Sequence, residues 1–202
     1  MHHDAWAKRR VSAIILNGGA STRFGTDKAA LAIRGRTLLE RTVDTLAPLF
    51  DEILVVGRPD ACPSHPAITQ AVADRVVGAG PLGGITTGLL AMTRPYGFFV
   101  ACDMPCLDPL VIRRQLHIAR REAADAVVPS WNRYWEPLHA VYSQDCLPAA
   151  RRQLDSGNLR IRSFFAHIHM VFWDILAAGL SRRPFTNVNT RSDLAALLGE
   201  QI

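Results

Sequence analysis

Short apolar runs alternate with longer stretches of helical periodicity over the first two-thirds of the chain. Val11–Leu16, Ile53–Val56 and Phe98–Ala101 each read as one buried strand, as does the shorter Ala126–Val128. Ile68–Ala73 holds a further short strand that ends at Asp74. Between these runs the period lengthens. Thr37 caps a helix to Ala47 whose apolar stripe is Leu38, Leu39, Val43, Leu46 and Ala47. Pro81 opens a second helix to about Thr93, and Asp108 caps a third that reaches Ala123. The N-terminal stretch 1–10 is polar and basic.

Beyond residue 130 the pattern is less regular. An aromatic loop, Trp131–Pro137, precedes a strand over Leu138–Tyr142 and a helix over Gln144–Leu154. Met170–Phe172 forms another strand, Thr186–Thr190 a loop, and a closing helix starts at Ser192 or Asp193 and reaches Leu198. Strands alternating with helices at this spacing predict an α/β fold. Its form is three-layered, a mostly parallel Rossmann-like sheet with helices on both faces. Ligands of such sheets sit beyond the carboxyl ends of the strands. No repeat or linker divides the chain, so residues 1–202 are expected to form one domain.

Composition narrows this picture only a little. The 202 residues suffice for a substantial core, and 49% hydrophobic with 20% charged residues describes an ordinary globular chain. A formal charge of +5 favours anionic ligands without selecting one. Cys62, Cys102, Cys106 and Cys146 lack metal-binding spacing and read as reduced thiols. The first apolar run is too short for a signal sequence or a membrane span, so a cytoplasmic location is expected.

The chemistry concentrates in Leu16-Asn17-Gly18-Gly19-Ala20-Ser21-Thr22-Arg23-Phe24-Gly25-Thr26-Asp27-Lys28, directly after the first strand. Glycines let backbone N–H groups gather around an anion, Arg23 can fork onto phosphate oxygens, and Lys28 adds a compact charge. The spacing is neither a Walker loop nor a dinucleotide fingerprint. A second glycine-rich segment, Gly80-Pro81-Leu82-Gly83-Gly84, offers a helix N-terminus and bare backbone to a base or phosphate, or else serves tight packing. Asp103, at the end of an apolar strand, suits Mg²⁺ beside phosphates or else serves as a helix-capping or turn aspartate. Asp74 reads either as a ribose or metal contact or as a turn residue.

Arg151, Arg152, Arg160 and Arg162 could receive an anionic co-substrate or form a solvated face. Trp131, Tyr134 and Trp135 could stack on a heterocycle or fill a core. Asn187 and Asn189 could share a face if extended, or simply form a turn. No nucleophile–base pair is evident, consistent with direct transfer.

Taken together these motifs resemble the molybdenum cofactor guanylyltransferase (MobA-like) nucleotidyltransferases. Leu16-Asn17-Gly18-Gly19, Arg23-Phe24-Gly25 and Asp27-Lys28 are similar to that family's glycine-loop signature. Gly80-Pro81-Leu82-Gly83-Gly84, Cys102-Asp103-Met104-Pro105, Glu136-Pro137-Leu138 with Ala140 and Tyr142, and Asn187-Val188-Asn189-Thr190 resemble its other motifs. The order holds from about residue 11 to 198. Asn17 stands where the family usually has Ala, Phe24 where it has Met, and Arg191-Ser192-Asp193 where it has Pro-Glu-Glu. Gly57 falls where some members place an Asn.

The resemblance implies transfer of GMP from GTP to the terminal phosphate of molybdenum-bearing molybdopterin, with pyrophosphate leaving. It implies Mg²⁺ on Asp103, and phosphate binding by Arg23 and Lys28. The nucleotide contacts would be Leu16, Asn17, Gly18, Gly19, Asp74 and the Gly80-Pro81-Leu82 turn, in a half spanning about 11–130. The pterin-phosphate side, with Asn187 and Asn189, would lie in about 131–202. A cytidylyl or sugar- or isoprenoid-phosphate transferase of the same fold is the nearest alternative, and a non-catalytic nucleotide-binding regulator a more distant one. The expected partners are these small molecules and, transiently, other molybdenum cofactor proteins, without nucleic acid or membrane.

Overall fold

The computed structural model describes residues 2–18, 32–33, 35–76 and 78–199. The first strand, β1 (Val11–Asn17), is buried along its whole length and lies at the middle of an eight-stranded sheet. β4 (Ile53–Gly57) runs parallel on one side of it and β6 (Tyr96–Ala101) on the other. β5 (Gln70–Ala73) extends the sheet, parallel, beyond β4. Beyond β6 come β9 (His139–Ser143), β7 (Ala126–Trp131) and β10 (Met170–Asp174), in that order. β9 runs antiparallel to both its neighbours, whereas β7 and β10 pair in parallel. A small hairpin, β2 (Ala32–Ile33) with β3 (Arg36–Thr37), stands apart from the sheet.

Helices cover both faces. On one face α2 (Leu38–Leu46) and α4 (Pro109–Glu122) bury Leu39, Val43, Leu46, Ile112 and Leu116 against Ile15, Phe98 and Val100. On the other, α3 (Gly80–Ala91) and α5 (Leu147–Asp155) bury Leu82, Ile85, Leu89 and Ala150 against Ile14 and Phe99. The predicted three-layer, mostly parallel sheet is what the chain forms.

Local signals account for the helix ends. Thr37 and Glu40 make a reciprocal cap: Glu40 N donates to Thr37 Oγ1 (3.1 Å) and Thr37 N to Glu40 Oε2 (2.8 Å). Asp108 accepts from Leu110 N (2.8 Å) ahead of Pro109, as expected. Thr190 Oγ1 accepts from Asp193 N (3.1 Å), and the Asp193 carboxylate accepts from Thr190 N (2.7 Å). This opens α6 (Arg191–Gly199) one or two residues earlier than expected.

One element was not anticipated, and two expectations need correction. The basic N-terminus is a helix, α1 (His2–Arg10), fastened by Trp6, which meets Tyr96 at 5.7 Å and lies under the Arg120 guanidinium at 5.9 Å. Residues 131–137 are not an open loop, because β7 turns at Asn132-Arg133 into β8 (Tyr134–Trp135). Both turn residues have positive φ, 46° and 65°, the geometry that suits a tight hairpin. The helix expected from Gln144 begins as a 3₁₀ turn over Gln144–Cys146, with the α-helix starting at Leu147.

Candidate functional site

The parallel strands β1, β4, β5 and β6 all end at one rim, and β9, running the other way, begins there. Gly18 follows β1 at this rim and is exposed. Gly57 closes β4 with φ of 137°, and a Cβ there would lie 2.3 Å from the Asn17 carbonyl oxygen. Only glycine therefore fits beside the start of the glycine loop. Gly19, Arg23 and Lys28 lie outside the described residues.

Asn17 is 2% exposed, and its Nδ2 is enclosed without a hydrogen-bond partner. Leu16 is occupied by the sheet: its carbonyl accepts from Cys102 N (3.1 Å), and its side chain packs toward Gly84. Asp74 follows β5 and ties the rim to α3, its Oδ1 accepting from Thr87 Oγ1 (3.0 Å) and Val76 N (3.3 Å). Gly80 and Pro81 are exposed at the N-terminus of α3, whereas the Leu82 side chain is wholly buried in the core. Any ligand contact at Leu82 is thus limited to backbone.

Asp103 follows β6. Its carbonyl accepts from Val188 N (2.8 Å), which clamps the Asn187–Asn189 segment onto the aspartate. The two asparagines do not share an environment. Asn187 is half-buried with Oδ1 enclosed and without a donor, whereas Asn189 is exposed and its N–H donates to Asp193 Oδ2 (2.8 Å).

Glu136 belongs to the same rim and was not singled out as a site residue from sequence. It is 3% exposed. Its Oε1 accepts from Leu138 N and its Oε2 from the Tyr134 hydroxyl, each at 3.2 Å. Burial pushes its carboxyl above the ordinary range and the Asp103 charge adds to this, against the lowering effect of the two hydrogen bonds. The signal in the chain was the Glu-Pro-Leu segment just ahead of β9. Its meaning depended on β9 running antiparallel beside β6.

The aromatics mainly pack on one another. Trp131 meets Tyr134 at 4.7 Å and Phe185 at 5.4 Å, and Trp135 meets Phe172 at 4.4 Å. Arg162 sits 4.4 Å over the Trp135 ring, while Arg151, Arg152 and Arg160 are exposed. A recess between α1 and α4, lined by Trp6, Arg113, His117 and Arg120, lies away from the rim.

Asp103 and the enclosed Asn187 Oδ1 offer hard oxygen donors, and among the described residues no group of three or more His, Cys, Asp or Glu forms a closed metal cage. Mg²⁺ needs no such cage, because it takes one or two carboxylates and fills its shell with phosphate and water oxygens.

A Rossmann-like sheet with Gly18 and Asp103 at one rim is an arrangement suited to a nucleotide-handling enzyme, and the class is that of the nucleotidyltransferases. Comparison with known proteins narrows the class: residues 13–171 match the MobA-like NTP transferase domain, and the chain belongs to that family. A probable molybdenum cofactor guanylyltransferase of Chloroflexus aggregans is 36% identical, covering 91% of this chain and 91% of that protein. The molybdenum cofactor guanylyltransferase of Syntrophotalea carbinolica is 34% identical over 90% of this chain and 88% of its own length. Among solved structures, molybdopterin-guanine dinucleotide biosynthesis protein A of Archaeoglobus fulgidus superposes with a TM-score of 0.79 at 21% identity. It covers 95% of this chain and 100% of that one. Among the described residues no helix is long and apolar enough to cross a membrane.

Proposed function

We propose that this chain transfers GMP from GTP to the terminal phosphate of molybdenum-bearing molybdopterin, acting in the cytoplasm as one domain of residues 1–202. The observation that carries this reading is the shared rim, where Gly18, Asp74, Gly80-Pro81, Asp103 and Asn187 come together, in a chain whose relatives are guanylyltransferases.

An oxygen of the acceptor phosphate attacks the α-phosphorus of GTP, a new P–O–P linkage forms, the bond to the β-phosphate breaks, and pyrophosphate departs. Phosphoryl chemistry of this kind rests on positioning and charge neutralisation rather than on proton transfer. Asn17, Gly18 and Gly19 border the nucleotide, with Leu16 and Leu82 contributing backbone alone. Arg23 and Lys28 hold the β- and γ-phosphates and the leaving pyrophosphate. Asp74 and Gly80-Pro81 bound the nucleoside. Asp103 would hold Mg²⁺, and the charge of that ion would offset the charge on the phosphate oxygens. Residues 131–202 receive the acceptor, with Asn187 and Asn189 nearest its phosphate.

Incubation with Mg²⁺, labelled GTP and molybdenum-loaded molybdopterin should yield the guanine dinucleotide and pyrophosphate. Asp103→Asn should abolish that yield. Efficient product formation from CTP, ATP or UTP with none from GTP would overturn the choice of nucleotide. A Mg²⁺-dependent rate left intact in Asp103→Asn would overturn the metal assignment.

A further inference from the structure

We propose that Thr87 is a positioning residue for nucleotide binding: its hydroxyl holds the Asp74 carboxylate with Oδ1 against α3, leaving Oδ2 for an N–H or O–H group of the nucleoside. The inference rests on the reading of Asp74 as a nucleoside contact given above. It adds a side chain that lies in the core rather than at the rim.

Asp74 follows β5 and turns back onto the face of α3 that carries Gly83 and Thr87. These two residues are four apart and so lie on one side of the helix. Gly83 keeps that side open, because a Cβ on it would lie 2.9 Å from Ala79 Cβ and 3.5 Å from Asp74 Oδ1. Thr87, only 1% exposed, supplies the bond: its Oγ1 donates to Asp74 Oδ1 at 3.0 Å. The same oxygen accepts from Arg75 N at 3.2 Å. With a lone pair turned to that N–H, the hydroxyl directs its one proton to the carboxylate.

The neighbouring threonine shows the alternative. Thr86 Oγ1 donates to Leu82 O at 2.9 Å, the usual bond of a helical threonine to the carbonyl four residues back. Thr87 sends its proton out of the helix instead, to a charged acceptor, where a hydrogen bond is stronger. Val76 N adds a second donor to Oδ1 at 3.3 Å. Among the described residues Oδ2 accepts no hydrogen bond. Pinning one oxygen of a carboxylate to a packed helix fixes where the other points, which is how a supporting residue preorganises a binding group. A Thr87 that only braced the chain between β5 and α3 would affect stability without separating KM from kcat.

Turnover with Mg²⁺, GTP and molybdenum-loaded molybdopterin tests this, alongside titration with a non-hydrolysable GTP analogue. Thr87→Val keeps the side-chain shape and removes the hydroxyl. Its KM for GTP and its dissociation constant for the analogue should each rise roughly tenfold. Turnover at saturating GTP should stay within about twofold of wild type, because Asp74 bounds the nucleoside and not the reacting phosphorus. Thr87→Ser, which retains the hydroxyl, should bring both constants back to within about threefold of wild type. On an Asp74→Ala background Thr87→Val should add less than about twofold, since the hydroxyl acts through that carboxylate.

Unchanged KM and analogue affinity in Thr87→Val, or an equal penalty with and without the Asp74 carboxylate, would overturn the proposal. If Thr87→Val does not fold, Thr87→Ala takes its place in the same cycle and is decided by the same outcomes. Wild-type protein that binds no GTP analogue would remove the choice of nucleotide along with this inference. Wild-type affinity in Asp74→Ala would remove the nucleoside reading of Asp74 and this inference with it. Weakened binding in Asp74→Ala, with Thr87→Val binding as wild type does, would remove this inference alone.

Discussion

His139 shows how far one residue can depart from its usual setting. It is wholly buried in β9, with its ring edge-on to Phe98 at 5.0 Å and to Phe185 at 4.7 Å. Neither ring nitrogen has a hydrogen-bond partner. Burial in this aromatic box depresses its pKa to about 4. The unfolded chain therefore binds the proton more readily than the folded one below pH 6.5. The stability contributed by neutral His139 is complete above that value and is lost as the pH falls toward 4, by about 3 kcal/mol. Urea unfolding of wild type and His139→Leu at pH 7 and pH 4 should show the variant gaining that much relative to wild type. Parallel pH profiles would place the acid sensitivity elsewhere. Nothing in the local sequence marks His139 as apolar in setting, because its neighbours in space come from β6 and from the segment ahead of Asn187. Glu136 was obscure for the same reason, whereas Asp103 was legible because a carboxylate ending an apolar strand is conspicuous in the chain itself.

At the scale of elements, α3 is instructive because its glycines serve packing. A Cβ on Gly88 would lie 2.6 Å from Phe99 Cε1 and 2.8 Å from Ile14 Cγ2, both side chains within the core. Alanine would add up to about 1 kcal/mol of helix propensity but would force the helix off the sheet, at a typical cost of 1–3 kcal/mol. Gly88→Ala should therefore lower the unfolding free energy measured in urea, and an increase would show that α3 can shift without cost. Because α3 carries Gly80-Pro81 to the rim, its seating also bears on the proposed nucleotide site. Caps at Thr37 and Asp108 were readable in advance, since each depends on residues within a few positions of one another. The β7–β8 hairpin was not, because it asks Arg133 to adopt a positive φ that its side chain does not favour. Pairing of Ser130 with Trp135, and aromatic contacts reaching Phe185, hold it there.

For the whole molecule the decisive feature is that strands separated in sequence finish at one edge. A ligand spanning that edge binds the folded form alone and stabilises it by mass action. GTP with Mg²⁺ at about a hundredfold over its dissociation constant should raise the melting temperature by roughly 5–10 °C. Asp103→Asn should retain only the increment seen with GTP in EDTA. A wild-type melting temperature unmoved by GTP and Mg²⁺ would count against the rim as the nucleotide site.

By itself the sequence determined the order of the main sheet strands and the helices that cover them, the three-layer class, and the glycine loop with its downstream aspartate. Those properties are written in short-range periodicity, in caps, and in residue types whose chemistry is local. Only the tertiary structure decided that β9 reverses direction beside β6, that Val188 clamps to Asp103, and that Glu136 and Asn187 therefore join the aspartate's surroundings. Such meetings depend on strand direction and on packing between distant segments, and no local pattern of side chains encodes either.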